Sequence, residues 1–180
     1  MADTRIGYID IHRSGRGEFM GGVLITDRLG IPLEFRHTEP VSPTKVQQVL
    51  YGKALERFLK SETLAKCLLN DLENKPDLLV IPDLEYSELT RFYNFPFVLL
   101  TKAAREPFQK HGDFVEVNES EIHLQILSLR EPLRVRVDRK NAASMAAIKT
   151  ILIDVGRTMD MLEPLTRVQE ALRALVAEVR

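Results

Sequence analysis

A run of strand and turn residues near the start of the chain constrains its fold more than any other feature. The stretch from Phe19 to Phe35 has the composition of two strands joined at Asp27-Arg28-Leu29-Gly30. Aspartate can accept hydrogen bonds from the backbone of such a turn, and glycine adopts positive φ without strain. The sequence therefore predicts an antiparallel hairpin over these residues.

Neighbouring segments extend the hairpin into a larger sheet. Alternating residues from Ile6 to Ile11 predict a preceding strand, so that three strands form an antiparallel meander. Ser42 suits a helix N-cap and Pro43 suits the first helical position. The apolar run from Asp77 to Pro82 is typical of a buried central strand. We predict an α/β fold whose mixed sheet begins with the three-stranded antiparallel meander, in β-β-β-α-β order.

The last forty residues predict amphipathic helices, because apolar residues recur there every three or four positions. The apolar positions are Met145, Ile148, Leu152, Val155, Met159, Leu162, Leu165, Val168, Leu172, Leu175 and Val179. Pro164 interrupts the pattern and predicts either a new helix or a kink. We predict an α/β domain over residues 1–140 and a helical segment over residues 141–180, which packs on that domain or on a partner.

Composition limits the partners and the chemistry. The 180 residues carry 25 basic and 26 acidic side chains, so contact with nucleic acid would require a local basic patch. Cys67 is a single cysteine among leucines, which excludes an intrachain disulfide and predicts a small core residue. The apolar runs are too short to span a bilayer. With no segment resembling a signal peptide, we expect a cytoplasmic protein without a membrane partner.

Basic side chains cluster in two places. One cluster comprises Arg130, Arg134, Arg136, Arg139 and Lys140, and the other comprises His12, Arg13 and Arg16. Such clusters can contact phosphates. Because charged runs more often simply face water, and no aromatic residue interleaves the first cluster for base stacking, we predict solvated surfaces.

Two aspartates carry the one catalytic hypothesis. Asp10 lies inside the first strand, and Asp83 follows the apolar run that ends at Pro82. If these strands are neighbours, the two carboxylates could approach each other and hold a divalent metal ion. The alternative is that Asp10 points to solvent and Asp83 caps the segment that starts at Leu84.

The order of elements, the two aspartates and the Gly21-Gly22 pair resemble the ribonuclease H-like superfamily over residues 5–83. That resemblance implies a nuclease that depends on Mg²⁺ or Mn²⁺, with Asp10 and Asp83 as catalytic and metal-binding residues. The superfamily also has a catalytic glutamate in the first turn of the helix, where this chain has residues 44–48 without an acid.

Other acids fit the superfamily pattern poorly. Glu39 precedes the helix, and Glu56 lies several turns too late. A final acid on the C-terminal helix would have to be Asp154 or Asp160.

We therefore predict a non-catalytic interaction module without a cofactor, which acts in an oligomer or a larger complex. A protein partner or a second copy would bind through the helices of residues 142–180. A divalent-metal-dependent nuclease using Asp10 and Asp83 is the alternative. The Gly-Gly hairpin with Glu34-Phe35 is also similar to a family of bacterial proteins without an assigned function.

Overall fold

An eight-stranded mixed sheet forms the centre of the structure, a computed structural model that describes residues 3–178. The strands are β1 (Ile6–Arg13), β2 (Phe19–Thr26), β3 (Pro32–His37), β4 (Leu78–Val80), β5 (Phe97–Lys102), β6 (Phe114–Asn118), β7 (Glu121–Leu124) and β8 (Leu133–Arg136). Their order across the sheet is β3-β2-β1-β4-β5-β8-β7-β6. The β1–β4 and β4–β5 pairs are parallel, and the other pairs are antiparallel. The predicted mixed α/β architecture is confirmed.

Helices cover both faces of this sheet. The α-helices are α1 (Lys45–Tyr51), which buries no residue, α2 (Lys66–Asn70), α3 (Met145–Val155) and α4 (Glu163–Glu178). A single helical turn over Leu55–Arg57 and a π-helix over Phe58–Ala65 precede α2. Helix α1 begins after Thr44 rather than after Ser42. Thr44 forms a capping box with Gln47, in which each side chain accepts a hydrogen bond from the other residue's backbone N–H. Pro164 lies in the first turn of α4, where its missing N–H costs no helical hydrogen bond.

Alternation along β1 separates two apolar cores. Ile6 and Tyr8 contribute to the core beneath α3 and α4, whereas Ile9 and Ile11 contribute to the core on the other face. That second core includes apolar residues of the π-helix and α2, namely Leu59, Leu64, Ala65, Leu68 and Leu69. Because successive side chains of a strand point to opposite faces, Asp10 belongs to the face covered by α4.

The apolar stripe of the C-terminal helices is buried against the protein's own sheet, so the predicted interface on residues 142–180 is wrong. Its most buried members are Ile148, Leu152, Val155, Val168 and Leu172, each 0 % exposed. The face that accommodates both helices is built from apolar residues of β1, β2, β4, β5, β7 and β8. Val179 lies outside the described residues. The division of the chain at residue 140 stays a prediction.

Two predictions drawn from composition have different outcomes. Cys67 is exposed, not buried in the core as predicted, because α2 buries the adjacent Leu68 and Leu69 instead. Among residues 3–178, no helix has both the length and the apolar character needed to cross a membrane.

The glycine pair in β2 allows helices to approach the sheet closely at the level of Asp10. Gly22 pairs with Asp10 across the β1–β2 ladder. A Cβ atom added to Gly22 would lie 3.0 Å from Leu172 Cδ2 of α4, and one added to Gly21 would lie 2.9 Å from Leu68 Cδ1 of α2. A side chain at Gly22 would therefore require Leu172 to shift by a few tenths of an ångström.

The β2–β3 turn provides a direct test of the fold. Gly30 has φ of 79° and its N–H donates to the Asp27 carbonyl at 3.1 Å. We expect Gly30→Val to lower the free energy of unfolding by about 1 kcal/mol or more, because a β-branched residue is strained at positive φ. Urea denaturation of the variant and the parent measures this loss.

Gly15→Val is the matched control for that substitution. Gly15 does not have positive φ, and an added Cβ would meet no atom within 4 Å. Equal stability of the two variants would contradict the assigned turn.

Candidate active site

The parallel pairing of β1 with β4 determines where the two predicted aspartates lie. Tyr8 pairs with Val80 in this ladder. Asp10 lies two residues beyond Tyr8, and Asp83 lies three residues beyond Val80. Since neighbouring parallel strands end at the same edge of a sheet, both aspartates lie at one edge, where ligands of open α/β sheets commonly bind.

Asp10 is half-buried and faces α4. Its Oδ1 accepts a hydrogen bond from the Ile11 backbone N–H at 2.7 Å, and its Oδ2 accepts one from Gln169 Nε2 at 2.7 Å. The carboxylate therefore does not simply point to solvent, and an amide of the last helix holds its orientation.

Asp83 is exposed and caps the short 3₁₀ segment Leu84–Phe92. Its Oδ1 accepts a hydrogen bond from the Glu85 backbone N–H at 2.8 Å. This is the capping role that the sequence gave as an alternative. A carboxylate has about four acceptor positions, so one backbone hydrogen bond leaves most of them available.

The hydroxyl of Tyr86 links the two carboxylates electrostatically. Burial raises the pKa of Tyr86 well above its ordinary value, and the charges of Asp10 and Asp83 raise this pKa further. Both carboxylates act on this one hydroxyl, and each keeps its own hydrogen-bond partner. Tyr86 therefore stays protonated at neutral pH.

Glu56 comes closer to this site than its position in the sequence suggested. It forms ion pairs with Lys60 at 2.5 Å and with Arg13, the last residue of β1, at 3.4 Å. Its charge also contributes to the raised pKa of Tyr86. The helical turn that carries Glu56 lies beside the end of β1, which sequence distance from the start of α1 does not reveal.

Gln169 occupies the place at Asp10 for which the sequence offered Asp154 or Asp160. Asp154 instead pairs with Arg28 at 3.8 Å, and Asp160 accepts from the Leu162 N–H at 2.8 Å. Helix α4 begins near the β2–β3 turn and reaches Asp10 only further along its length. The sequence offered one feature that could have pointed to Gln169, which is a polar residue next to the apolar Val168.

The side chains around Asp10 include few possible ligands for a divalent metal ion. Among residues 3–178, no group of three or more histidine, cysteine, aspartate or glutamate side chains is arranged to hold a metal ion. Two carboxylates remain, those of Asp10 and Asp83, with the Gln169 amide beside Asp10. Mg²⁺ keeps several waters and is bound through one or two carboxylates, so Asp10 and Asp83 are ligands of the right chemical kind for it.

The two basic clusters differ in how their charges are neutralised. In the first cluster, Arg134 forms a bidentate ion pair with Glu121 at 2.7 and 3.0 Å. In the second cluster, Arg13 pairs with Glu56, and His12 and Arg16 line a cavity beside α4. The prediction of a solvated surface therefore describes the first cluster better than the second, whose His12 and Arg16 line a cavity.

Comparison with known proteins identifies similar folds. No protein-family model and no curated protein sequence matches the chain significantly. The catalytic domain of human Endonuclease V is similar with a TM-score of 0.61 and 13% identity, over 99% of this chain and 84% of that one. Ciona intestinalis Endonuclease V, solved with DNA containing an inosine followed by a ribo-adenosine, has a TM-score of 0.51 and 12% identity, over 99% and 87%.

These similarities show the fold, which is shared with the catalytic domain of an endonuclease. They also correct the predicted function. The similar structures belong to an endonuclease, so the preference for a non-catalytic oligomeric module without a cofactor is wrong, and the nuclease alternative is better supported.

The contact between Gln169 and Asp10 yields a prediction about pH. In Gln169→Glu, two carboxylates would meet and the folded-state pKa of one would rise above its unfolded value. The variant should therefore lose stability relative to the parent as pH rises from about 4 to 7, by about 1–2 kcal/mol. Thermal melting across this pH range measures the loss, and added Mg²⁺ should reduce it.

Gln169→Ala separates charge from the loss of a contact. It removes the hydrogen bond to Asp10 without adding a carboxylate, so its stability difference from the parent should not grow over the same pH range. A pH-independent difference in both variants would show that Asp10 and residue 169 do not meet.

Proposed function

We propose that this chain is a divalent-metal-dependent nuclease of the ribonuclease H-like type. The observation that carries the proposal is the placement of Asp10 and Asp83 at one edge of adjacent parallel strands, in a fold similar to that of Endonuclease V. In this proposal the β-β-β-α-β portion within residues 1–140 supplies both aspartates, and the helical segment 141–180 supplies Gln169.

The residues have separate roles. Asp10 and Asp83 would hold Mg²⁺ or Mn²⁺, which when bound orients water and neutralises phosphate charge. Gln169 Nε2 donates to Asp10 Oδ2 and holds this carboxylate in place. The Tyr86 hydroxyl keeps its proton, since burial and the two aspartate charges raise its pKa.

The substrate class follows from the same similarity. One Endonuclease V structure contains a 23mer DNA and another a 24mer, each with an inosine followed by a ribo-adenosine. We therefore include inosine-containing DNA beside single-stranded DNA, duplex DNA and an RNA–DNA hybrid as candidate substrates.

The decisive experiment measures cleavage of labelled oligonucleotides of these four kinds with Mg²⁺ or Mn²⁺. We expect at least one substrate to be cut, and Asp10→Asn and Asp83→Asn each to slow cleavage roughly 100-fold or more. Chelation of the metal should stop the reaction.

Asp77→Asn is the matched control. Asp77 precedes β4 at the opposite edge of the sheet, where its Oδ2 accepts from the Arg5 N–H at 2.9 Å. This variant should cut at the parental rate. Absence of cleavage on every substrate, or cleavage unaffected by both Asp10→Asn and Asp83→Asn, would refute the nuclease.

A further inference from the structure

A cavity of about 410 Å³ lies beside the candidate active site, between the β1–β2 turn and the last turns of α4. His12 lines it from β1, and Arg173 lines it from α4. His12 follows Asp10 on the same face of β1, about 7 Å further along the strand. Arg173 follows Gln169 by one helical turn, so both residues lie on the same side of α4. The cavity therefore continues the surface on which Asp10 and Gln169 meet.

The charged lining of this cavity is mainly cationic. Arg16 of the β1–β2 turn completes it with His12 and Arg173, and Glu18 contributes one negative charge. Both Glu18 oxygens are near hydroxyl donors, at 3.5 Å from Ser14 Oγ and Ser42 Oγ. Two guanidinium groups thus outnumber a single carboxylate.

The two arginines are available to a ligand. Both are exposed, and within residues 3–178 neither side chain forms an ion pair or a hydrogen bond. By contrast, Arg134 of the other basic cluster is occupied by Glu121. An arginine fork matches the geometry of a phosphate, which it can bind through two parallel hydrogen bonds.

A floor of apolar atoms distinguishes the cavity from a charged surface. Met20 is 3 % exposed, and Val176 and Ala177 complete the apolar lining. A polar rim over an apolar floor suits a ligand with an anionic group and a less polar body, such as the phosphate and sugar of one nucleotide.

The geometry points to this cavity as a phosphate-binding subsite for a nucleic-acid strand, with Arg16 and Arg173 holding a backbone phosphate next to the one at Asp10. This inference rests on the proposed function, because it assigns the strand to the same site. The net charge of −1 gives no general attraction to nucleic acid, so a local subsite must supply it.

Binding without cleavage tests the subsite. The full chain is titrated in EDTA against a fluorescein-labelled single-stranded DNA and its RNA counterpart, and anisotropy gives the affinity at several salt concentrations. We expect Arg16→Ala/Arg173→Ala to weaken binding on the order of 10-fold or more. The slope of log affinity against log salt should become shallower by about 0.7 for each phosphate contact removed.

Arg130→Ala/Arg139→Ala is the charge-matched control. It also removes two exposed arginines, but from the other basic cluster. Its affinity and salt slope should stay close to the parental values. The single variants Arg16→Gln and Arg173→Gln, each checked by thermal melting, replace the double variant if it does not fold.

Two outcomes would overturn the subsite: equal weakening by both double variants, or no binding by the parent at low salt. The cleavage assay reports on the proposed function separately. If cleavage depends on Asp10 but the Arg16→Ala/Arg173→Ala variant binds as tightly as the parent, the nuclease proposal is supported and the subsite is refuted. Binding that depends on the two arginines, without cleavage of any substrate, would support the subsite and refute the nuclease.

Discussion

The parallel pairing of β1 with β4 is the constraint on which the rest of the candidate site depends. This pairing joins the antiparallel strands of the first half to the strands that follow. It also places Asp10 and Asp83, which are 73 residues apart in sequence, at one edge of the sheet. Without this register the ends of the two strands, and with them the two aspartates, would not lie at one edge.

Helix α4 completes the site because the sheet beneath it has a local gap. Gly22 lies beside Asp10 and lacks a side chain, so Leu172 can pack at that point and Gln169 can reach the Asp10 carboxylate. The packing of α4 on the sheet thus both buries the apolar stripe and positions Gln169. The same helix then brings Arg173 to the cavity beyond. Packing of the C-terminal segment has a catalytic consequence rather than an oligomeric one in the proposed function.

An amide at Asp10 has a physical consequence that an acid would not have. Its N–H group donates a hydrogen bond to one carboxylate oxygen and adds no charge to the site. A third carboxylate would add repulsion that only a cation could offset. In the proposed function, Asp10 and Asp83 would be the few protein ligands of the ion, as is typical of Mg²⁺ sites.

Local patterns in the sequence determined the hairpin, its Gly30 turn, the start of α4 at Pro164 and the two aspartates, because turn chemistry and periodicity depend on neighbouring residues. Only the tertiary structure decided which surfaces these segments pack against. The C-terminal stripe packs on the sheet because the sheet is wide enough to cover it. Gln169, Glu56 and Arg173 join the site only because helix packing brings distant segments to the end of β1. Periodicity shows that a face must be buried, but it does not identify the surface that buries it.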